Sequence, residues 1–132
     1  MKWNAIGLAV LACVVATPSL AQEIDLAAGK TSFNKCLACH AIGEGAKNKV
    51  GPEMNGLDGR KSGTAEGYAY SDANKNSGIT WNEAVFKDYI TNPKQKIPGT
   101  KMAFAGIKKE SEINNLWAYI AQYDAAGAIK KK

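Results

Sequence analysis

The 132-residue chain has one histidine, one arginine and three cysteines, and each scarcity closes off a class of function. With Cys13 set aside in the leader described below, Cys36, Cys39 and His40 fall one short of the four soft ligands of a structural zinc site. A lone arginine, Arg60, and no basic patch interleaved with aromatics exclude a nucleic-acid reader. No apolar run reaches the ~20 residues needed to span a bilayer. No stretch reads as a convincing strand, so the βαβ setting of a redox dithiol is missing as well.

What is present begins with a leader. Lys2 supplies a positive start, Ala5 to Ala16 is almost wholly apolar, and Thr17, Pro18 and Ser19 break the run. Ser19-Leu20-Ala21 then sets small residues at the two positions a signal peptidase reads, so residues 1–21 are expected to be a signal peptide cleaved after Ala21. Residues 22–132 form one domain. Cys13, after Val10-Leu11-Ala12, has the look of a lipid-attachment cysteine, but the apolar run before it would be very short and a better cleavage site follows. It is read as discarded with the leader. Losing Lys2 takes the formal charge from +5 to +4, a balance that suits an acidic protein partner.

Leu26, Phe33, Cys36 and Leu37 recur near a helical period and predict a first helix over Asp25 to Cys39. Gly29 inside it costs about 1 kcal/mol against alanine, which calls for a close backbone approach there. From Ala41 to Tyr70 come seven glycines and no sustained period. Ser71 caps a brief helix through Asn74, ended by Gly78. Thr80 and Glu83 read as a capping box opening a helix that buries Val85, Phe86, Tyr89 and Ile90, with Pro93 as terminator. After a loop from Asn92 to Gly106, Ile113, Leu116, Trp117, Ile120 and Tyr123 mark the last helix, ended by Gly127 before a solvated Lys130–Lys132 tail. The expected fold is all-α, three to four short helices with long loops. A glycine-rich stretch of ~30 residues is unusual in so small a domain, so a large, flat, apolar prosthetic group is expected to fill the middle.

Cys36-Leu37-Ala38-Cys39-His40 supplies that group's attachment: C-x-x-C-H is the signature of c-type haem. On a helical turn, residues three and four apart share a face, so both sulfurs reach vinyl groups on one side of the porphyrin. His40 is then held beneath the iron. A disulfide would leave His40 and the glycine-rich loop unexplained. Because His40 is the only histidine, bis-histidine ligation is excluded. Met54 and Met102 both remain as sixth ligands. Met54 sits in the glycine-rich stretch, whereas Met102 follows a Pro98-Gly99 turn that can aim a side chain inward.

Several segments together resemble class I cytochrome c, close to the bacterial cytochrome c2 group and mitochondrial cytochrome c. They are Cys36 to His40, Val50-Gly51-Pro52, Gly56-Leu57-Asp58-Gly59-Arg60, Asn74-Lys75-Asn76 and Ile97 to Met102. The resemblance runs from about Gly29 to Tyr123 and implies the cytochrome c fold around one covalent haem c. It implies His40 and Met102 as axial ligands, leaving Met54 to packing. Pro52 would accept from the free ring N–H of His40, and Tyr89 would hydrogen-bond near the Met102 sulfur. Arg60, Tyr70, Trp81 and Thr100 match positions that hold the haem propionates. Gly29 and Phe33 match a contact with Leu116 and Tyr119, which explains the costly glycine. One departure is that Phe33 to Cys36 is one residue shorter than in mitochondrial members.

The resemblance implies a soluble, monomeric periplasmic electron carrier and not an enzyme. A cytochrome bc complex would be its donor, and a terminal oxidase or photosynthetic reaction centre its acceptor. Lys35, Lys47, Lys49, Lys94, Lys96, Lys101, Lys108 and Lys109 would ring the exposed porphyrin edge and steer acidic docking faces. A ligand-binding haem enzyme or sensor, in which Met102 dissociates, is the rival class, and exogenous cyanide or azide discriminates the two. A dedicated subunit of one oxidoreductase ranks third, since no extra domain, tether or second haem motif is present.

Overall fold

The structure, a computed structural model, describes residues 11–18 and 22–132. The Ser19–Ala21 cleavage site and much of the apolar leader lie outside the described residues. Cys13 is exposed, in a stretch with neither helix nor strand. No helix among the described residues is long and apolar enough to cross a membrane.

Five helices follow in order: α1 (Leu26–Phe33), α2 (Asp72–Lys75), α3 (Glu83–Thr91), α4 (Pro93–Lys96) and α5 (Glu110–Ala121). Among the described residues the only extended pairings are isolated bridges, Lys61 with Thr80 and Tyr123 with Ile129. The frame is the crossing of α1 and α5. A Cβ on Gly29 would lie 2.1 Å from the Asn115 carbonyl oxygen, so only glycine lets the two backbones meet. Phe33 packs on Tyr119 with ring centroids 5.5 Å apart, and Ser32 Oγ donates to Glu112 across the same crossing at 2.7 Å. On its other side α5 meets α3 through Phe86 and Trp117, 5.1 Å between centroids. Leu116 and Ile120 are completely buried there.

The element boundaries correct the sequence reading at four places. The first helix stops at Phe33, not Cys39; Asp25 caps it by accepting from the Ala28 amide. Residues beyond Phe33 continue as turns, and Leu26 and Leu37 are largely exposed, so the apparent stripe is not a buried face. Asn82, not Thr80, caps α3, because Thr80 is engaged in the bridge to Lys61 and Asn82 Oδ1 takes the Val85 amide at 2.9 Å. Pro93 does not simply terminate: it opens α4, where its missing N–H costs nothing at a first turn. Gly127 lies beyond the end of α5 at Ala121, in a turn where its amide donates to Asp124 O at 3.0 Å. The chain then folds back, with the Lys130 amide donating to Gln122 O at 2.8 Å. Ser71 caps α2 as expected, accepting from the Asn74 amide at 3.1 Å.

Candidate functional site

Between the α3–α5 layer and the glycine-rich loops lies a cavity of about 230 Å³. Its apolar wall comes from Leu57, Trp81, Phe86, Ile90, Phe104 and Ile120. A well-packed domain of this size does not keep such a space without an occupant to fill it. Cys36, Cys39, His40, Met54 and Met102 all face it.

The thiols and the imidazole come from one turn. The Cys39 and His40 amides donate to the Cys36 carbonyl, at 3.1 and 2.8 Å, so the turn stays helical although α1 has ended. Neither cysteine is in a disulfide; Cys36 is half-buried and Cys39 exposed. Burial pushes the Cys36 thiol up to about 11, against the opposing pull of the Lys35 charge.

Behind His40 the 50s loop makes a tight backing. Nδ1 lies 2.7 Å from the Pro52 carbonyl oxygen, and as a donor it leaves Nε2 with its lone pair. A Cβ on Gly51 would sit 2.4 Å from the imidazole Cε1, so glycine is required for the loop to close on the ring. Burial lowers the His40 pKa most, the Pro52 hydrogen bond opposes it, and Arg60 and Lys49 add to the lowering. The ring is therefore neutral, the form that binds metal.

On the far wall both methionines contribute, so lining alone does not separate them. A hydrogen bond does: the Tyr89 hydroxyl donates to the Met102 sulfur at 2.9 Å. The Thr100 hydroxyl accepts the Met102 amide at 3.2 Å, and burial pushes the Tyr89 hydroxyl up while Thr100 beside it opposes the rise. Trp81 meets Tyr89 edge to face, 4.9 Å between centroids. Met54 is packed against the hydrophobic core, with its amide on Ala41 O at 2.9 Å.

Arg60 and Trp81 are brought side by side because the Gly59 amide donates to Trp81 O at 2.7 Å and the Trp81 amide donates to Arg60 O at 2.9 Å. Of the four residues matched to propionate positions, Arg60, Trp81 and Thr100 line the cavity and Tyr70 does not. The Tyr70 oxygen accepts the Ala65 amide at 2.9 Å, which leaves its hydrogen to be donated. Burial raises its pKa; the Ala65 bond and Arg60 lower it, and Glu53 and Tyr68 raise it. Tyr68, Ser71, Asn74 and Phe104 line the cavity without having been singled out for it. Tyr68 was signalled only by its place two residues before Tyr70; nothing in the sequence separates a capping serine from a lining one.

A flat, largely apolar macrocycle with a metal at its centre and two acidic arms uses all of this chemistry at once: thiols to anchor it, nitrogen and sulfur to ligate it, and N–H and O–H donors for the arms. The residues present fit haem, and the class that the fold and cavity define is that of the c-type haem proteins. The family model for cytochrome c matches residues 26–124. Cytochrome c-550 of Bradyrhizobium diazoefficiens is 79% identical over 80% of this chain and 77% of its own length. Cytochrome c2 of Blastochloris viridis is 61% identical over 98% of this chain and 100% of its own length. Among solved structures, cytochrome cH from Methylobacterium extorquens superposes with a TM-score of 0.68 at 45% identity, covering 73% of this chain and 96% of that one. The chain belongs to the cytochrome c family. It binds one covalently attached haem c and is an electron-transfer protein, not an enzyme.

Proposed function

We propose that the chain is an exported, soluble carrier of single electrons in the periplasm, with its haem linked through Cys36 and Cys39 and its iron ligated by His40 and Met102. The observation that carries this reading is the pair of hydrogen bonds orienting the two ligands from behind, Pro52 O on His40 Nδ1 and Tyr89 O–H on Met102 Sδ. The haem supplies a one-electron iron couple at a potential raised by the thioether ligand. His40 and Met102, each oriented by its own hydrogen bond, would both hold the iron, which would leave no position for a substrate and little to rearrange between oxidation states. Arg60, Thr100 and Trp81 on the cavity wall supply donors that keep the propionate charges from being buried unpaired, and Tyr70, set back from the wall, has its hydrogen free to join them.

Residues 1–21 are read as a leader removed after Ala21, and residues 22–132 as a monomeric carrier. Lys35 and Lys101 line the cavity, and by resemblance Lys47, Lys49, Lys94, Lys96, Lys108 and Lys109 border the exposed haem edge, an electropositive approach for acidic docking faces. A cytochrome bc complex as donor, and a terminal oxidase or reaction centre as acceptor, suit that surface. The names of the relatives, cytochromes c-550 and c2, support a mobile carrier of this kind.

The test is to produce the full chain in a host with cytochrome c maturation machinery. The expected product is periplasmic, with a mass equal to residues 22–132 plus one haem that survives denaturation, and a low-spin spectrum. The ferric protein should resist azide, and Met102→Ala should bind it readily while Met54→Ala should not. Colourless denatured protein, or azide binding by the unaltered protein, would refute the reading.

A further inference from the structure

Arg60 is tied down in a way no other described cation is. Its Nη1 donates to the Asn55 carbonyl at 3.0 Å and to the Glu53 carboxylate at 3.2 Å, and Nη2 donates to the Glu53 carbonyl at 2.9 Å. A guanidinium has five N–H groups, so two remain for the cavity side. Glu53 is equally fixed: its second carboxylate oxygen takes the Asn55 amide at 2.7 Å, and its own amide donates to Asn48 Oδ1 at 2.9 Å. The Arg60 and Glu53 side chains are 15% and 25% exposed, whereas every other described ion pair has a partner at least 46% exposed. Solvent and salt therefore screen this pair least.

The two backbone carbonyls already orient Arg60, and any residue at position 53 would supply its share of them. What the glutamate adds is charge. The charged residues on the cavity wall are Lys35, Arg60 and Lys101, all cations; Glu112 pairs with Lys35 at an exposed site, and Glu53 pairs with Arg60 where both partners are shielded from solvent. Arg60 itself lines the cavity, and Glu53 lies directly behind it at 3.2 Å.

We propose that Glu53 helps set the redox potential: its fixed carboxylate offsets part of the Arg60 charge and so biases the iron toward the oxidised state. This rests on the reading above that Arg60 faces the haem propionates. A positive charge near the haem disfavours the more positive ferric form, and a carboxylate behind that charge reverses part of the effect. Glu53 acts through Arg60 and is a positioning residue for charge, not a ligand.

The experiment is redox titration of the matured holoprotein against a one-electron mediator. Glu53→Gln should shift the oxidised-to-reduced ratio at fixed potential toward the reduced form, by roughly two- to tenfold, where tenfold is 59 mV. Glu53→Asp, which keeps the charge, should stay near the unaltered protein. Glu83→Gln, which removes a carboxylate from a surface pair with Lys87, gauges the background. Arg60→Gln should shift the ratio the other way. If Arg60→Gln leaves the potential alone, the placement of Arg60 at the propionates fails, and this proposal with it. If Arg60→Gln shifts it but Glu53→Gln moves no more than Glu83→Gln, this proposal alone is overturned. An equal shift from Glu53→Asp, or loss of haem from Glu53→Gln, also overturns it, because the side chain would then serve geometry and not charge.

Discussion

The hydroxyl of Tyr89 is the one polar group that distinguishes Met102 from Met54, and with Met102 as the proposed iron ligand its effect on the iron would have a definite sign. A donor on the thioether draws electron density from the sulfur, which then supports the ferric state less well. Tyr89→Phe removes that donor while keeping the ring that meets Trp81 edge to face. The midpoint potential should fall, by on the order of 40 mV if the bond is worth about 1 kcal/mol net. A rise on redox titration would show that the hydrogen bond does not act through the sulfur. At this scale the sequence was most informative: Cys36, Cys39 and His40 are local in the chain, and one helical turn sets their geometry. Met102 was one of two candidates by spacing, because what singles it out comes from α3, 13 residues away.

The α1–α5 crossing carries the stability of the frame, and its sensitivity concentrates at two positions. In Gly29→Ala the new Cβ meets the Asn115 carbonyl, and overpacking should outweigh the gain in helix propensity for a net loss of about 2 kcal/mol. The midpoint of denaturant unfolding of the holoprotein measures this, and an unchanged midpoint would mean the helices can part without cost. At the other end of the crossing, hydrogen bonds from Lys35 and Ser32 hold the Glu112 carboxyl below the usual glutamate range. A carboxyl lowered in the folded state binds fewer protons than in the unfolded chain. Its contribution is therefore present above the usual glutamate pKa and lost as pH falls through the lowered one. Stability against pH should show that acid-side loss, and Glu112→Gln should flatten it. The helices themselves were legible from their periodicity, but their ends were not. Thr80 with Glu83 has the spacing of a capping box, yet the backbone pairing of Lys61 with Thr80 moved the cap to Asn82.

Taken whole, the molecule is a basic body whose lysines differ in availability. Lys35 pairs with Glu112 and Lys96 with Asp88, the Lys49 and Lys108 amines donate to the Leu37 and Thr91 carbonyls, and Lys101 donates to Ala69 O at 3.0 Å. These ties are exposed, so they hold the amines near the surface without removing their charge. Encounter with an acidic partner should be fast and should slow as salt rises, because screening shortens the reach of the field to about 10 Å at 0.1 M. Stopped-flow oxidation by an acidic redox partner, measured across ionic strength, gives the check. A flat profile would leave the lysines no steering role.

The amino-acid order alone determined the attachment motif, the single histidine, the helical periods and the need for a non-protein core, since each is a matter of residue type and short spacing. Tertiary structure alone decided which methionine receives the Tyr89 hydroxyl, that Tyr70 stands off the cavity wall, and that Glu53 lies behind Arg60. The physical reason is that glycine-rich loops have no period of their own. Where their side chains point is set by backbone hydrogen bonds to distant segments, such as those from Gly59 and Trp81 that fix Arg60.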